Sequence, residues 1–506
     1  MKALLMHRDR DFDLQQPLPW NAAFLAQDLG LVTVMQAMSA DDEFLFDISR
    51  RAILGGMAND PDTILYRQAV MKDCLENPGV VRAMHNLIVA TLEAARRQWW
   101  GLASEYPSSV LYSSNDVLTE FVGVLRRLRT TAEEHCQRFQ SEGFASLFTM
   151  FTAELNEDYL AQVLRDLAAL RFRKGILLSA QLGDSHESTN LGLRRPHNKK
   201  RNWLERIRGK GPPGYTFHLD PHDETGGRLL SEMRSRGIAR VAFAMGQSVD
   251  HIVNFFKMLR TELAFYVGGL NLHDALTAKG LPVAFPSPRS AGERSLNFSS
   301  LYDVCLALST ESSVVGNAVN ADLKNLVIIT GANQGGKSTF LRSIGLAQMM
   351  MQCGLFVGAE SFNAEVCPAL FTHFRREEDA NMKSGKLDEE LARMSEIADH
   401  LVPNSMLLFN ESFAATNERE GSEIAKQIVC ALLEGQTKIL YVTHLHEFAR
   451  GSFERRAKNA IFLRAERRED GTRTFRLPEG EPLETSFGED LYRAVFVRER
   501  ETTRIS

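Results

Sequence analysis

Asn325-Leu326-Val327-Ile328-Ile329-Thr330-Gly331-Ala332-Asn333-Gln334-Gly335-Gly336-Lys337-Ser338-Thr339-Phe340 decides how this chain folds. Leu326 to Ile329 is a short apolar run rich in β-branched residues, the mark of a buried parallel strand. Gly331, four residues, Gly336, Lys337 and Ser338 then fit the G-x-x-x-x-G-K-[ST] phosphate loop. From Ser338 to Cys353 the chain is helix-forming, with Leu341, Ile344, Met349 and Met350 available to bury. The order has a physical reason. Glycines let successive backbone N–H groups turn toward one point, and a helix N-terminus adds partial positive charge there. Lys337 is then expected to reach the outer phosphates and Ser338 to ligate Mg²⁺.

Outward from this stretch, Ser405-Met406-Leu407-Leu408-Phe409-Asn410-Glu411 is an apolar strand ending in two polar residues. Nucleotide hydrolases normally hold an acid at the first position to steady Mg²⁺, then a Glu that orients or activates water. Here the first is Asn410, which can accept a hydrogen bond from metal-bound water but brings no charge. Glu411 is the candidate base. Leu440-Tyr441-Val442-Thr443-His444 is another apolar strand, and His444 either polarises the γ-phosphate or is structural. Strands near 325–330, 405–410 and 438–443 alternate with helices near 338–353, 384–401 and 421–434, which implies a largely parallel sheet with helices on its faces.

The first half reads differently. Residues 1–60 are weakly patterned, with Asp41-Asp42-Glu43 as a helix start or a solvated turn. From 62 to 175 apolar residues fall at helical spacing, as in Val117, Phe121, Val124, Leu125 and Leu128, or Leu160, Val163, Leu164 and Leu167. Gln181 to Tyr215 is a break carrying Arg194, Arg195, Lys199, Lys200, Arg201, Arg206, Arg208 and Lys210, opposed between Arg194 and Lys210 only by Glu205. Such a run is either a solvated loop or a contact surface for phosphates, and Trp203 offers one stacking partner. Helical spacing resumes from Gly226 to Leu276, and Leu281 to Arg294, with three prolines, reads as a linker. The resulting division is a mainly helical domain over 1–290 and an α/β domain over 291–506.

At 506 residues the chain exceeds one core, and 44% hydrophobic and 24% charged residues are ordinary for a globular protein. A net charge of −5 neither selects nor excludes nucleic acid, since a local basic patch is what matters. No apolar stretch approaches the ~18 residues of a membrane span, and the N-terminal apolar run is too short for a signal peptide. The six scattered cysteines, without a Cys-x-x-Cys pair, argue for a cytoplasmic protein with reduced thiols used as small buried hydrophobes.

Together these residues resemble the C-terminal ATPase of the MutS family of DNA mismatch-repair proteins, a branch of the ATP-binding-cassette type. The family carries Thr-Gly-Pro-Asn-x-x-Gly-Lys-Ser-Thr, and Thr330 to Thr339 matches it with Ala332 in place of proline. The family's Asp-Glu-x-x-x-x-Thr-Ser-x-x-Asp-Gly corresponds in length to Asn410 through Thr416, Asn417 and Gly421. Thr443-His444 matches the family's Thr-His switch, and Ser384-Gly385-Lys386 to Glu390 and Met394 its Ser/Gly-rich loop and Glu-bearing helix, without the usual aromatics. More loosely, Ile64 to Val70 resembles the start of the family's helical core.

The resemblance implies an α plus α/β chain, with a helical core, lever and clamp followed by an ABC-type phosphate-loop ATPase. It implies ATP and Mg²⁺ as cofactors, with Gly331, Asn333, Gly335, Gly336, Lys337, Ser338 and Thr339 on the nucleotide and Ser338 and Asn410 at the metal. Glu411 and His444 would act in catalysis, and Thr416 and Asn417 would approach the γ-phosphate of the other protomer in a homodimer with composite sites. Arg194, Arg195, Lys199, Lys200 and Arg201 would lie along a clamp on double-stranded, mismatched or branched DNA. A mismatch-reading domain needs about 100 or more residues before the core, so a reduced member without it is expected. Action on recombination intermediates, action on RNA or ribosomes, and an ATP-regulated scaffold with little turnover remain open alternatives.

Overall fold

The computed structural model describes residues 1–97, 106–173, 175–184, 188–194, 216, 218–376, 385–455 and 459–483. They form two compact units: Met1–Ala3 with Arg82–Arg138 and Ala145–Arg260, and Leu4–Val81 with Phe139–Phe144 and the described part of Thr261–Ser506. Compactness thus groups Leu4–Val81 with the C-terminal half.

The first unit is mainly helical. Its helix Pro107–His135 buries the expected stripe of Val117, Phe121, Val124, Leu125 and Leu128. Phe121 meets Phe256 of the helix Glu224–Thr277 edge to face at 5.3 Å. The helix Glu157–Ala169 starts where the Asn156 side chain accepts from Tyr159 N at 2.9 Å, satisfying an otherwise orphaned donor. The stretch expected to be a break from Gln181 is instead partly ordered. β1 (Leu178–Leu182) and β2 (Ser188–Leu193) pair antiparallel, and Gln181 marks a bulge between them.

The second unit is mixed α/β. β6 (Leu326–Gly331), β8 (Leu370–Phe374), β9 (Met406–Asn410), β10 (Lys438–Val442) and β11 (Ala460–Ala465) form a sheet in the order β11-β6-β10-β9-β8. Every pairing in it is parallel, as the apolar runs predict. Helices Lys337–Gln352, Lys386–His400, Glu418–Glu434 and His446–Glu454 connect its strands, within two residues of the expected positions for the first two. One face of the sheet packs Ile328, Phe409 and Tyr441 against Met394, Val429 and Phe448.

A second sheet was not foreseen. β3 (Ser287–Arg289), β4 (Leu296–Leu301), β5 (Asn317–Asn320) and β7 (Ser361–Glu365) join in the order β3-β7-β4-β5. β3 lies inside the expected linker, which its prolines disguised; a three-residue edge strand tolerates Pro288. The buried pair Lys438–Glu365, at 2.6 Å, ties the two sheets together.

Residues 1–60, weakly patterned as sequence, fold as helices Ala22–Asp28, Leu31–Ser39 and Glu43–Gly55. Asp42 caps the last by accepting from Leu45 N at 2.9 Å, so the expected helix start is there. The irregular segment before them is held by buried polar side chains. Glu262 accepts from Leu5 N at 2.6 Å, Phe12 N at 2.7 Å and Met6 N at 3.3 Å, and burial pushes its carboxyl up to about 7. Arg67, fully buried on the helix Pro61–Glu76, donates to the carbonyls of Met6 and Gly56 and meets His7 Nε2 at 3.0 Å. Gly354 has φ +84°, and a Cβ there would collide with the Arg67 side chain. Of the cysteines, Cys74, Cys305, Cys353 and Cys367 are buried as expected, whereas Cys136 and Cys430 are exposed. Among the described residues no helix is long and apolar enough to cross a membrane.

Arg67→Ala would strand two buried carbonyls. At 1–3 kcal/mol each the variant should lose roughly 2–6 kcal/mol of stability. Urea unfolding of the second unit's fluorescence checks this, and an unchanged midpoint would show that the arginine is not an anchor.

Candidate functional site

Parallel register sets the site. Phe374, Asn410 and Val442 lie in one row across β8, β9 and β10, with Val442 opposite Ile329 of β6. Residues just beyond these strand ends therefore share one rim: the loop after Gly331, Arg375, Glu411 and His444. In open parallel sheets ligands bind at that rim.

The loop after β6 needs its glycines at two positions. Gly331 has φ +105° and a Cβ there would lie 2.8 Å from Ala465 N; Gly336 has φ +85°. Gln334 also sits in the left-handed region, at φ +59°. Gly336 is the N-cap of the helix Lys337–Gln352, and no side chain caps it. The amide groups of that first turn are thus left to a ligand. Lys337 is buried and folds back on its own loop, donating to Gly331 O at 2.9 Å and Ala332 O at 3.0 Å. Burial lowers its pKa to about 8, against the raising influence of Glu411. Ser338 Oγ donates to Asn410 Oδ1 at 2.8 Å, so the two residues expected at the metal are in direct contact.

Glu411 Oε1 accepts from His444 Nε2 at 2.7 Å, and Arg375 Nη1 lies 4.0 Å from Glu411 Oε2. The hydrogen bond from His444 is the main reason its carboxyl titrates below the ordinary value, despite partial burial. Against a carboxylate the imidazole nitrogen must be the donor. The turn after β9 is unusual, with Glu411 at φ +56° and Phe413 at φ +62°. Buried polar groups hold it there. Phe413 N donates to Glu390 Oε2 at 2.6 Å, and Ser412 Oγ lies 2.7 Å from His373 Nδ1, whose Nε2 donates to Glu390 O at 2.9 Å. Burial drives the His373 pKa down to about 3, which keeps the ring neutral. A Cβ on Gly421 would collide with Phe413 O, so the end of this turn also requires glycine.

A cavity of about 700 Å³ opens on this rim. Asn333, Gly335, Gly336, Lys337, Ser338, Thr339, Glu411 and His444 line it, whereas Gly331 does not. Asn410 reaches it through Ser338. Thr416 and Asn417 do not line it. Thr416 Oγ1 donates to Glu420 Oε2 at 2.6 Å, and Asn417 caps the helix Glu418–Glu434 by accepting from Glu420 N at 3.0 Å.

The motifs left several lining residues unnamed, among them Arg375 and Phe475. Arg375 carries no motif, and only the strand register that sets Phe374 opposite Asn410 brings it in. Asn317 stands in a stretch (Val315-Gly316-Asn317) that resembles the family's loop before the ATPase strand; its amide donates to Phe475 O at 3.1 Å and accepts from Leu477 N at 2.9 Å. Of the basic run, Arg194 follows β2 and its Nε donates to Ser179 Oγ at 2.9 Å. Arg195, Lys199, Lys200, Arg201 and Trp203 lie outside the described residues.

Comparison with known proteins finds two matching regions. A profile described as MutS2 N-terminal domain matches residues 59–279, and one described as MutS domain V matches residues 327–498. Over 136 residues, 26% of this chain and 14% of the relative, it is 32% identical to DNA mismatch repair protein MutS of Clostridium botulinum. Over 140 residues, 28% of this chain and 15% of the relative, it is 31% identical to MutS protein homolog 4 of Mus musculus. Over 205 residues, 39% of this chain and 24% of the relative, it is 29% identical to DNA mismatch repair protein MutS of Leptospira interrogans. The chain thus spans 14% to 24% of the length of these relatives.

The burial of Lys337 predicts its own titration. Below about pH 8 the ammonium is charged and above it neutral, whereas an ordinary lysine changes near 10.5. Competitive labelling with an amine-reactive reagent, read by mass spectrometry as a function of pH, should give Lys337 an apparent pKa near 8. A value at the ordinary position would contradict the burial.

Proposed function

The chain belongs to the MutS family, and on that footing we propose that it is an ATP-dependent DNA-binding protein acting as a homodimer. Its second unit would contain the ABC-type ATPase, over about residues 291–506, and residues 1–290 the core, lever and clamp. The observation that carries this reading is the meeting of Lys337, Ser338, Asn410, Glu411 and His444 at one rim of a parallel sheet.

In this reading the amides of the first helical turn hold the phosphates, and Lys337 exchanges its loop carbonyls for phosphate oxygens. The Ser338 hydroxyl and the Asn410 amide oxygen form a donor pair that fits a hard cation, since both are neutral oxygens within reach of each other. Mg²⁺ bound there would screen the phosphate charge. Glu411 stays ionised and, with its pKa lowered, orients the attacking water better than it takes a proton from it. His444 fixes the Glu411 carboxylate, and releasing that bond is what would let it face a γ-phosphate. Thr416 and Asn417, absent from the cavity of their own chain, would serve the partner's site.

Asn410 makes hydrolysis slow by leaving the metal side without a carboxylate. Asn410→Asp should raise steady-state ATP turnover, and Lys337→Ala should abolish ATP binding. Turnover of Asn410→Asp no faster than wild type would contradict the claim that Asn410 slows hydrolysis.

DNA contact would run through the basic residues Arg194, Arg195, Lys199, Lys200 and Arg201, where affinity comes mainly from phosphate charge. Fluorescence anisotropy with homoduplex, mismatched duplex and a four-way junction, with and without ATP and Mg²⁺, tests this. Binding should be modulated by ATP and weakened by salt. Charge reversal at Lys199, Lys200 and Arg201 should reduce the salt slope by about 1 for each phosphate no longer neutralised. Absence of binding to all three DNAs would overturn the DNA assignment.

A further inference from the structure

We propose that Arg375 is a phosphate-binding residue of this site and that, beside the neutral Asn410, it makes nucleoside triphosphate binding largely independent of a divalent cation. The proposal rests on the nucleotide reading above and concerns how that site balances charge.

Arg375 is the first residue beyond β8, and its backbone N donates to Asn410 O at 2.9 Å. The strand pairing that sets Phe374 opposite Asn410 therefore delivers the guanidinium to the metal side of the rim. It lines the same cavity as Lys337 and Ser338. Among the described residues its ion-pair partner is Glu411, at 4.0 Å, and its side chain is 44% exposed. That carboxylate is already bonded to His444 at 2.7 Å. An ion pair so long and so exposed contributes little, so the guanidinium can turn to a phosphate at small cost. The neighbouring Arg376 differs: it meets the buried Asp28 at 3.0 Å and is committed to the fold. Guanidinium geometry also suits two phosphate oxygens at once.

The charge around the cavity favours the same conclusion. Among the described residues two carboxylates line it, Asp303 and Glu411. Asp303 is engaged by Arg342 and Glu411 by His444. An aspartate at position 410 would add a charge beside the phosphates that only a cation between them could offset. The asparagine adds none, and its amide oxygen accepts from Ser338 at 2.8 Å. Among the described residues Lys337 and Arg375 are then the lysine and arginine that line the cavity, reaching it from the β6 and β8 sides of Asn410.

Titrating a fluorescent ATP analogue into the full chain, once with Mg²⁺ and once with EDTA, tests this. Wild-type affinity should differ by about threefold or less between the two conditions. Arg375→Ala should weaken binding in EDTA by about tenfold or more, and less in Mg²⁺. Arg375→Lys should recover part of the loss, and Asn410→Asp should weaken EDTA binding while restoring a response to Mg²⁺. Thermal midpoints of all variants separate loss of binding from loss of fold. Equal affinity of wild type and Arg375→Ala in EDTA, or a wild type that needs the metal to bind at all, would overturn the proposal. Failure of wild type to bind in either condition would instead remove the nucleotide reading beneath it.

Discussion

Parallel pairing of β6, β10, β9 and β8 is the constraint on which the rest depends. Parallel strands put their carboxyl ends on one side, so polar residues far apart in the chain leave the sheet at one level. Lys337, Arg375, Glu411 and His444 meet for that reason. A slip of one residue in any pairing would turn the apolar strand residues to the opposite face and carry the rim residue with them. The buried runs of β6 and β10 make such a slip costly, since both faces of each strand are covered.

A second layer of control lies behind the rim. Glu390, His373 and Ser412 are buried polar groups that satisfy one another and the backbone of the turn after β9. They hold Glu411 and Phe413 in left-handed conformations that side chains otherwise avoid. Position of the candidate water-orienting carboxylate is therefore set by the helix Lys386–His400 as well as by its own strand. In the same unit, Glu262 and Arg67 do comparable work on the N-terminal segment by supplying partners for a backbone that forms no regular structure.

Much of this was legible in the chain because the signals were local. The phosphate loop, the strands ending in Asn410 and His444, and the helices between them follow from short apolar runs, glycine spacing and polar strand ends. What escaped depended on distant partners. β3 carries Pro288 and holds only against β7; β8, with Thr372 and His373 inside it, shows neither clean alternation nor an unbroken apolar run. The N-terminal helices looked weakly patterned because they bury residues against other parts of their unit, as Asn21 does in donating to Leu370 O at 2.9 Å. Arg375 escaped because an arginine after a strand has no motif, and its value comes only from the neighbour that register assigns to it. Thr416 and Asn417 were identified by likeness alone, and their contacts within the chain are those of a helix start.

The most direct test of the account is isothermal titration calorimetry of ATP into the full chain, with pyrophosphate as competitor. A rim built to hold a triphosphate predicts saturable binding of one nucleotide per chain, with pyrophosphate displacing it because the phosphate loop supplies the main contacts. No saturable heat, or nucleotide binding that pyrophosphate leaves untouched, would contradict the assignment of the strand-end cavity as a phosphate site.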